Sequence, residues 1–322
     1  MGEKKPLIVL TGPTAVGKTR LSIALAHEIG GEIISADSMQ VYKGMDIGSA
    51  KIKPEEMKGI RHHLIDVLSP TEEFNVVIFQ KLFCESAAKV YERGHIPILT
   101  GGTGFYIQAA LYDIDFTETT EDTAYREELT ETAKQKGADY LHEMLRAVDS
   151  KSADAIHPHN IKRVIRALEF YRQTNGPISE HNEQERKKES SYNSCYFILN
   201  DKREKLYAQI DKRVEEMIAD GLVEEVKKLA DAGCKKEMVS MQGLGYKEIL
   251  SYLSGETTLE EAVYLIKRNT RHFAKRQLTW FKREKEVIWL NKPDFAYDDE
   301  AMLSHMLGII REKTGKEDKN ER

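Results

Sequence analysis

Over its first third the chain alternates short apolar runs with amphipathic stretches. Leu7-Ile8-Val9-Leu10-Thr11 is apolar until its last residue, the pattern of a strand buried on both faces of a parallel sheet. Residues 18–29 put Leu21, Ala24, Leu25 and Ile29 on one helical face and stop at Gly30-Gly31. Residues 32–37 and 64–67 predict a second and a third strand. Residues 74–93 predict a long helix, and 96–100 a fourth strand ending in Gly101-Gly102-Thr103-Gly104. This alternation predicts an α/β fold, a parallel sheet core flanked by helices. After Tyr112 the pattern turns helical and remains so to about residue 190, where Cys195-Tyr196-Phe197-Ile198-Leu199 returns to strand. That is the signature of a mostly helical insertion domain. The expected division is a core in two parts, residues 1–115 and 193–311, an insertion over 116–192, and a frayed, highly charged tail over 312–322. In the second part, Leu206, Ile210, Val214 and Ile218 recur at spacing four, residues 259–283 form another helix, and 286–290 a last strand.

The junction between the first strand and the first helix reads Gly12-Pro13-Thr14-Ala15-Val16-Gly17-Lys18-Thr19. This is the G-x-x-x-x-G-K-T phosphate loop in its proper strand–loop–helix context, so the sheet is a P-loop core. Glycines let successive backbone N–H groups turn toward phosphate oxygens, and the helix adds its positive N-terminal end. Lys18 is expected to reach the outer phosphates and Thr19 to hold Mg²⁺.

In a parallel sheet, ligands bind at the carboxyl ends of the strands, so Asp37, Asp66 and Thr103 are expected to converge on this loop. Asp37 beside a diphosphate can accept a proton from an attacking nucleophile; an Asp before Ser is also a common turn cap. Asp66 can serve as a carboxylate on the Mg²⁺ side or as a plain strand-end residue. His62 and His63 fit a structural role better than a catalytic one.

Composition narrows the setting. The 322 residues are 40% hydrophobic and 31% charged, with net charge −5, which excludes a uniformly basic coat. Cys84, Cys195 and Cys234 lack metal or disulfide spacing, and only four apolar residues separate Pro6 from Thr11, too few for a secretion signal. A cytoplasmic protein with no membrane association is expected. Against the negative average, the helix 259–283 carries Arg268, Arg271, Lys275 and Lys282 along one side with almost no acid between Lys267 and Arg283. The helix after His157-Pro158-His159-Asn160 repeats the idea with Lys162, Arg163, Arg166 and Arg172. Two basic helices beside a phosphate site point to an enzyme acting on nucleic acid, although a charge stripe is often only a solvated face.

Taken together, several segments resemble the tRNA dimethylallyltransferase (tRNA isopentenyltransferase) family. They are the phosphate loop, Ile34 through Gly48 with Asp37-Ser38-Met39-Gln40, His62 through Asp66, Gly101 through Tyr106, Ile156 through Glu169, Gly243-Leu244-Gly245-Tyr246, and Thr270 through Phe281. The resemblance implies transfer of a dimethylallyl group from dimethylallyl diphosphate to N6 of the adenosine 3′ of the anticodon in tRNA. It implies Asp37 as general base, Thr103 where base and donor meet, Arg213 supporting the diphosphate, and Mg²⁺ held with it by Thr14 to Thr19 in a nucleotide-binding loop. The anticodon stem-loop would meet Asp37, Ser38, Met39, Gln40, Thr103, Arg126, and Lys162, Arg163, Val164, Ile165 and Arg166, and on the basic helix Arg271, Lys275 and Arg276. A monomer is expected. The rival readings are a small-molecule or nucleoside kinase, an adenylate prenyltransferase, and a nucleotide-gated RNA-binding module.

Overall fold

The computed structural model describes residues 4–116 and 123–314. It divides into two compact units, residues 1–111 with 190–322 and residues 112–189.

In the first unit, β1 (Pro6–Thr11), α1 (Lys18–Ile29), β2 (Gly31–Ala36), β3 (His62–His63), α2 (Val76–Glu92), β4 (Ile96–Gly101) and α3 (Gly104–Tyr112) precede the second unit. Within that second unit lie α4 (Thr123–Lys136), α5 (Ala138–Val148), α6 (Ser150–Ala155), α7 (Ile161–Thr174) and α8 (Ile178–Glu185). The first unit resumes with β5 (Asn193–Asn200), α9 (Arg203–Ala219), α10 (Leu222–Asp231), α11 (Tyr246–Leu253), α12 (Leu259–Phe281), β6 (Val287–Asn291) and α13 (Asp299–Thr314). The two ends that bracket the second unit lie side by side, because Ser191 N–H donates to the Leu111 carbonyl at 3.1 Å.

The six strands are parallel, in the order β3-β2-β4-β1-β5-β6. All carboxyl ends therefore share one edge. Read across that edge, they deliver Asp37 after β2, Gly101 to Thr103 after β4, the phosphate loop after β1, Asp201 after β5 and Lys292 after β6. Ile8, Leu10, Ile33, Ile98 and Phe197 supply the sheet side of a core closed by Leu21 and Leu25 of α1, Ile210 of α9 and Met302 and Met306 of α13. The second unit has its own core of Leu129, Leu141, Leu145, Val164, Ile165 and Leu168.

One strand differs from the sequence reading. The pairing segment is His62–His63, not 64–67, because Leu64 and Asp66 take left-handed backbone with φ of 62° and 55° and turn away from the ladder. The long helix begins two residues later than expected, at Val76, where the Asn75 carboxamide oxygen accepts the N–H groups of Val77 and Ile78. Helix α13 runs on to Thr314; the rest of the predicted tail, residues 315–322, lies outside the described residues.

Candidate active site

The phosphate loop is shaped by backbone that side chains rarely tolerate. Gly12 has φ +149°, and a Cβ there would meet the Leu199 carbonyl oxygen at 2.2 Å, so the loop passes directly over the end of β5. Gly17 has φ +99° and caps α1. Buried Val16 anchors the loop in the core. Lys18 Nζ donates to the carbonyls of Gly12 and Pro13 at 2.9 and 2.8 Å, which folds its ammonium across the loop. Burial, with the Arg213 cation adding to it, pulls Lys18 down to about 7 against the opposing pull of the Asp37 carboxylate. Lys18, Arg213 from α9 and Asp37 thus share one electrostatic field although far apart in sequence. Burial also lowers the pKa of Arg213, against the pull of Glu216.

Asp37 takes the turn-cap geometry of one of its two sequence readings. Its Oδ1 accepts the N–H groups of Met39 and Gln40 at 2.8 and 3.3 Å, a turn cap. Its Oδ2 has no hydrogen-bond partner among the described residues. Burial raises its pKa, against those two N–H groups and Lys18, so the carboxyl is more basic than an ordinary aspartate. Strand β4 lies between β2 and β1, so its end lies between Asp37 and the phosphate loop. There Thr103 N–H donates to Ala36 O at 3.3 Å, next to Asp37. Gly101 is required beside it, since a Cβ would fall 2.3 Å from Ala36 O.

Buried Gln277 of α12 ties the two glycine-rich loops together. It accepts from Thr14 N–H and donates to Gly102 O, both at 2.9 Å. One turn on, Trp280 packs so closely on Gly104 that a Cβ there would fall 2.2 Å from its ring.

The chain is similar to known proteins along most of its length. The family model described as IPP transferase matches residues 40–284. A tRNA dimethylallyltransferase of Lachnoclostridium phytofermentans is 59% identical over 309 residues, 96% of this chain and 98% of the relative. The chain belongs to the tRNA dimethylallyltransferase family. The crystal structure of the full-length tRNA isopentenylpyrophosphate transferase from Bacillus halodurans superposes with a TM-score of 0.72 at 42% identity, covering 97% of this chain and 99% of that one. A eukaryotic dimethylallyltransferase studied acting on tRNA superposes with a TM-score of 0.83 at 29% identity, covering 99% and 82%. The P-loop parallel sheet read from the sequence is therefore the family fold.

Other site residues read from the sequence separate into three groups. Lys162, Arg163 and Arg166 are exposed along α7. Lys275 and Arg276 line a surface cavity of about 440 Å³ on α12, with His272, Thr279, Trp280 and Arg283. The third group has other partners. Val164 and Ile165 are core residues, at 0% and 6% exposure, because a contiguous run on an amphipathic helix cannot present every side chain outward. Arg126 binds the buried Glu169 carboxylate through two nitrogens, at 2.8 and 3.1 Å. Arg271 is held by Asp211 of α9 at 2.6 Å, and Lys267 by Glu215 at 2.6 Å. The acid missing from the α12 stripe thus comes from the facing helix, and Arg271 is not an uncompensated cation.

Asp66 does not join the site. Its carboxylate accepts Lys51 Nζ at 2.6 Å, and the same ammonium binds Asp46. His62 and His63 are structural: His62 Nδ1 bonds Ile60 O at 2.9 Å, and His63 Nε2 meets Glu32 at 2.7 Å, near the amino end of β2. Sequence reasoning missed His272 and Arg283, which continue the helical spacing of Lys275, Arg276 and Thr279, and it gave Gln277 no role of its own.

Proposed function

We propose that the protein transfers a dimethylallyl group from dimethylallyl diphosphate to N6 of the adenosine 3′ of the anticodon in tRNA, releasing diphosphate. The observation that carries this reading is the shared field of Lys18, Arg213 and Asp37 at the phosphate loop. It combines cations for a departing diphosphate with a basic carboxylate for a departing proton.

Lys18, Arg213 and the loop N–H groups hold the donor and neutralise charge that grows as the carbon–oxygen bond breaks. The exocyclic amine attacks that carbon, and Asp37 Oδ2 takes the amine proton. Thr103, between these groups, lines the point where base and donor meet. The acceptor base leaves its stack to reach the half-buried carboxylate. Thr19, exposed on the first turn of α1, is the residue that would hold Mg²⁺. Among the described residues no group of three or more His, Cys, Asp or Glu could hold a metal. The Thr19 hydroxyl is the protein oxygen that would hold such an ion beside the phosphates. When bound, the ion supplies positive charge to the leaving diphosphate. Lys162, Arg163 and Arg166 of α7, with Lys275 and Arg276 of α12, would meet tRNA phosphates.

Incubating hypomodified tRNA with the protein, dimethylallyl diphosphate and Mg²⁺, followed by nucleoside mass analysis, tests the reading. A dimethylallyl-adenosine at the anticodon-adjacent position is expected. Unchanged tRNA, with phosphoryl transfer from ATP to a small acceptor, would replace it by the kinase reading.

A further inference from the structure

We infer that Lys292, delivered by the carboxyl end of β6, is an additional ligand of the donor diphosphate. The inference rests on the reading of the phosphate loop as a diphosphate site. Lys292 Nζ lies 3.0 Å from the point where a Cβ on Gly17 would sit, against the residue that caps α1. No carboxylate pairs with it among the described residues, and its side chain is half-buried.

An ammonium beside the N-terminus of a helix is unfavourable by itself, since both carry positive charge. An anion between them reverses the sign of the interaction.

The segment bearing Lys292 is held in register with the loop. Gly12 rests on the Leu199 carbonyl at the end of β5. The next residue, Asn200, donates its Nδ2 to Asn291 Oδ1 at 3.1 Å, and Asn291 Nδ2 donates to Asp294 Oδ2 at 3.0 Å. Pro293 then fixes the backbone φ of the following turn. This chain of contacts brings an ammonium from the far edge of the sheet onto the loop.

The Lys18 ammonium is folded onto the Gly12 and Pro13 carbonyls. Lys292 is held by no comparable pair of loop carbonyls, so its ammonium is available to the phosphate.

The test is titration of inorganic pyrophosphate with Mg²⁺ into the full chain and into Lys292→Met, which keeps the apolar stem and removes the charge. A charge-assisted hydrogen bond predicts affinity weakened roughly 10- to 100-fold. Lys292→Arg should recover most of it, while tRNA affinity stays at the parent value and the melting temperature of Lys292→Met does not fall. Parent-like pyrophosphate affinity in Lys292→Met overturns the inference and leaves the donor site intact. Failure of the parent itself to bind pyrophosphate overturns the diphosphate reading. A loss of melting temperature in Lys292→Met that Lys292→Arg does not restore would assign the residue to folding and refute the ligand role.

Discussion

The Gln277 side-chain oxygen accepts the Thr14 N–H at 2.9 Å, so one donor of the phosphate loop is committed to the protein and unavailable to phosphate. The same carboxamide holds Gly102, and helix α12 thereby sets the spacing between the two glycine-rich turns. Gln277→Leu would leave a buried carbonyl unpaired, at about 1–3 kcal/mol, and a partly buried N–H unpaired at a smaller cost. We expect a lower melting temperature together with weaker donor binding. A variant with parent stability and parent donor KM would show that the loop keeps its shape without the bridge.

Lys18 gives the donor site a pH dependence of defined sign. Its pKa is near 7 in the unliganded protein, and a bound diphosphate favours the ammonium and raises it. Binding above pH 7 therefore takes up a proton, and affinity falls as pH rises past 7; below that, Lys18 adds no slope. For folding, the unfolded chain holds this proton up to the ordinary value of 10.5, so Lys18 makes the unliganded protein more stable as pH rises from 7 to 10.5. Calorimetry at pH 8 in two buffers of different ionisation enthalpy reads the proton uptake. Lys18→Met should abolish that uptake and weaken donor binding, with tRNA affinity preserved. Identical uptake by parent and variant would assign the proton elsewhere.

Asp37→Asn keeps the Oδ1 cap on Met39 and Gln40 and removes the basic oxygen. A general base acts in the transition state, so the single-turnover rate at saturating substrates should fall by about 10²–10⁴. Binding of donor and tRNA should change far less. An unchanged saturated rate would mean that the proton leaves by another route.

The exposed cations of α7 should register in salt. Replacing Lys162, Arg163 or Arg166 singly should reduce the magnitude of the log–log salt slope of tRNA affinity by roughly 0.7 to 0.9. Arg271→Ala breaks an ion pair with Asp211 and should change that slope less. Val164→Ala and Ile165→Val should lower stability and leave the slope alone, since both side chains are core. Equal slopes for the parent and all three α7 variants would reduce the cluster to a solvated face.

What the sequence made legible follows from how local each feature is. The phosphate loop is a contiguous segment whose glycines dictate its conformation, and it reads directly. Asp37 and Thr103 were legible one step removed, because a parallel sheet gathers its carboxyl ends whatever their separation along the chain. Asp66 obeyed the same topology but not the same outcome: left-handed backbone at Leu64 and Asp66 cut its strand short, and Lys51 took its carboxylate. A contiguous motif such as 162–166 hides the helical period, so Val164 and Ile165 read as surface though they face inward. The partners of Arg126 and Arg271 sit on other helices, where one-dimensional charge patterns do not reach. Gln277 lies within a segment that carries the family resemblance, but its two backbone partners lie 263 and 175 residues away.

The hydrogen bond from Ser191 to Leu111 gives the second unit a removable character. Chain leaves and rejoins the core at neighbouring points, so to the core the whole of residues 112–189 amounts to one long surface loop. Closing a loop costs entropy that grows only with the logarithm of its length, so a short turn in its place would close at a smaller cost. The sheet and its phosphate loop should then fold as a miniature protein that still captures pyrophosphate, with the helical graft exchangeable between relatives like a fitted tool head.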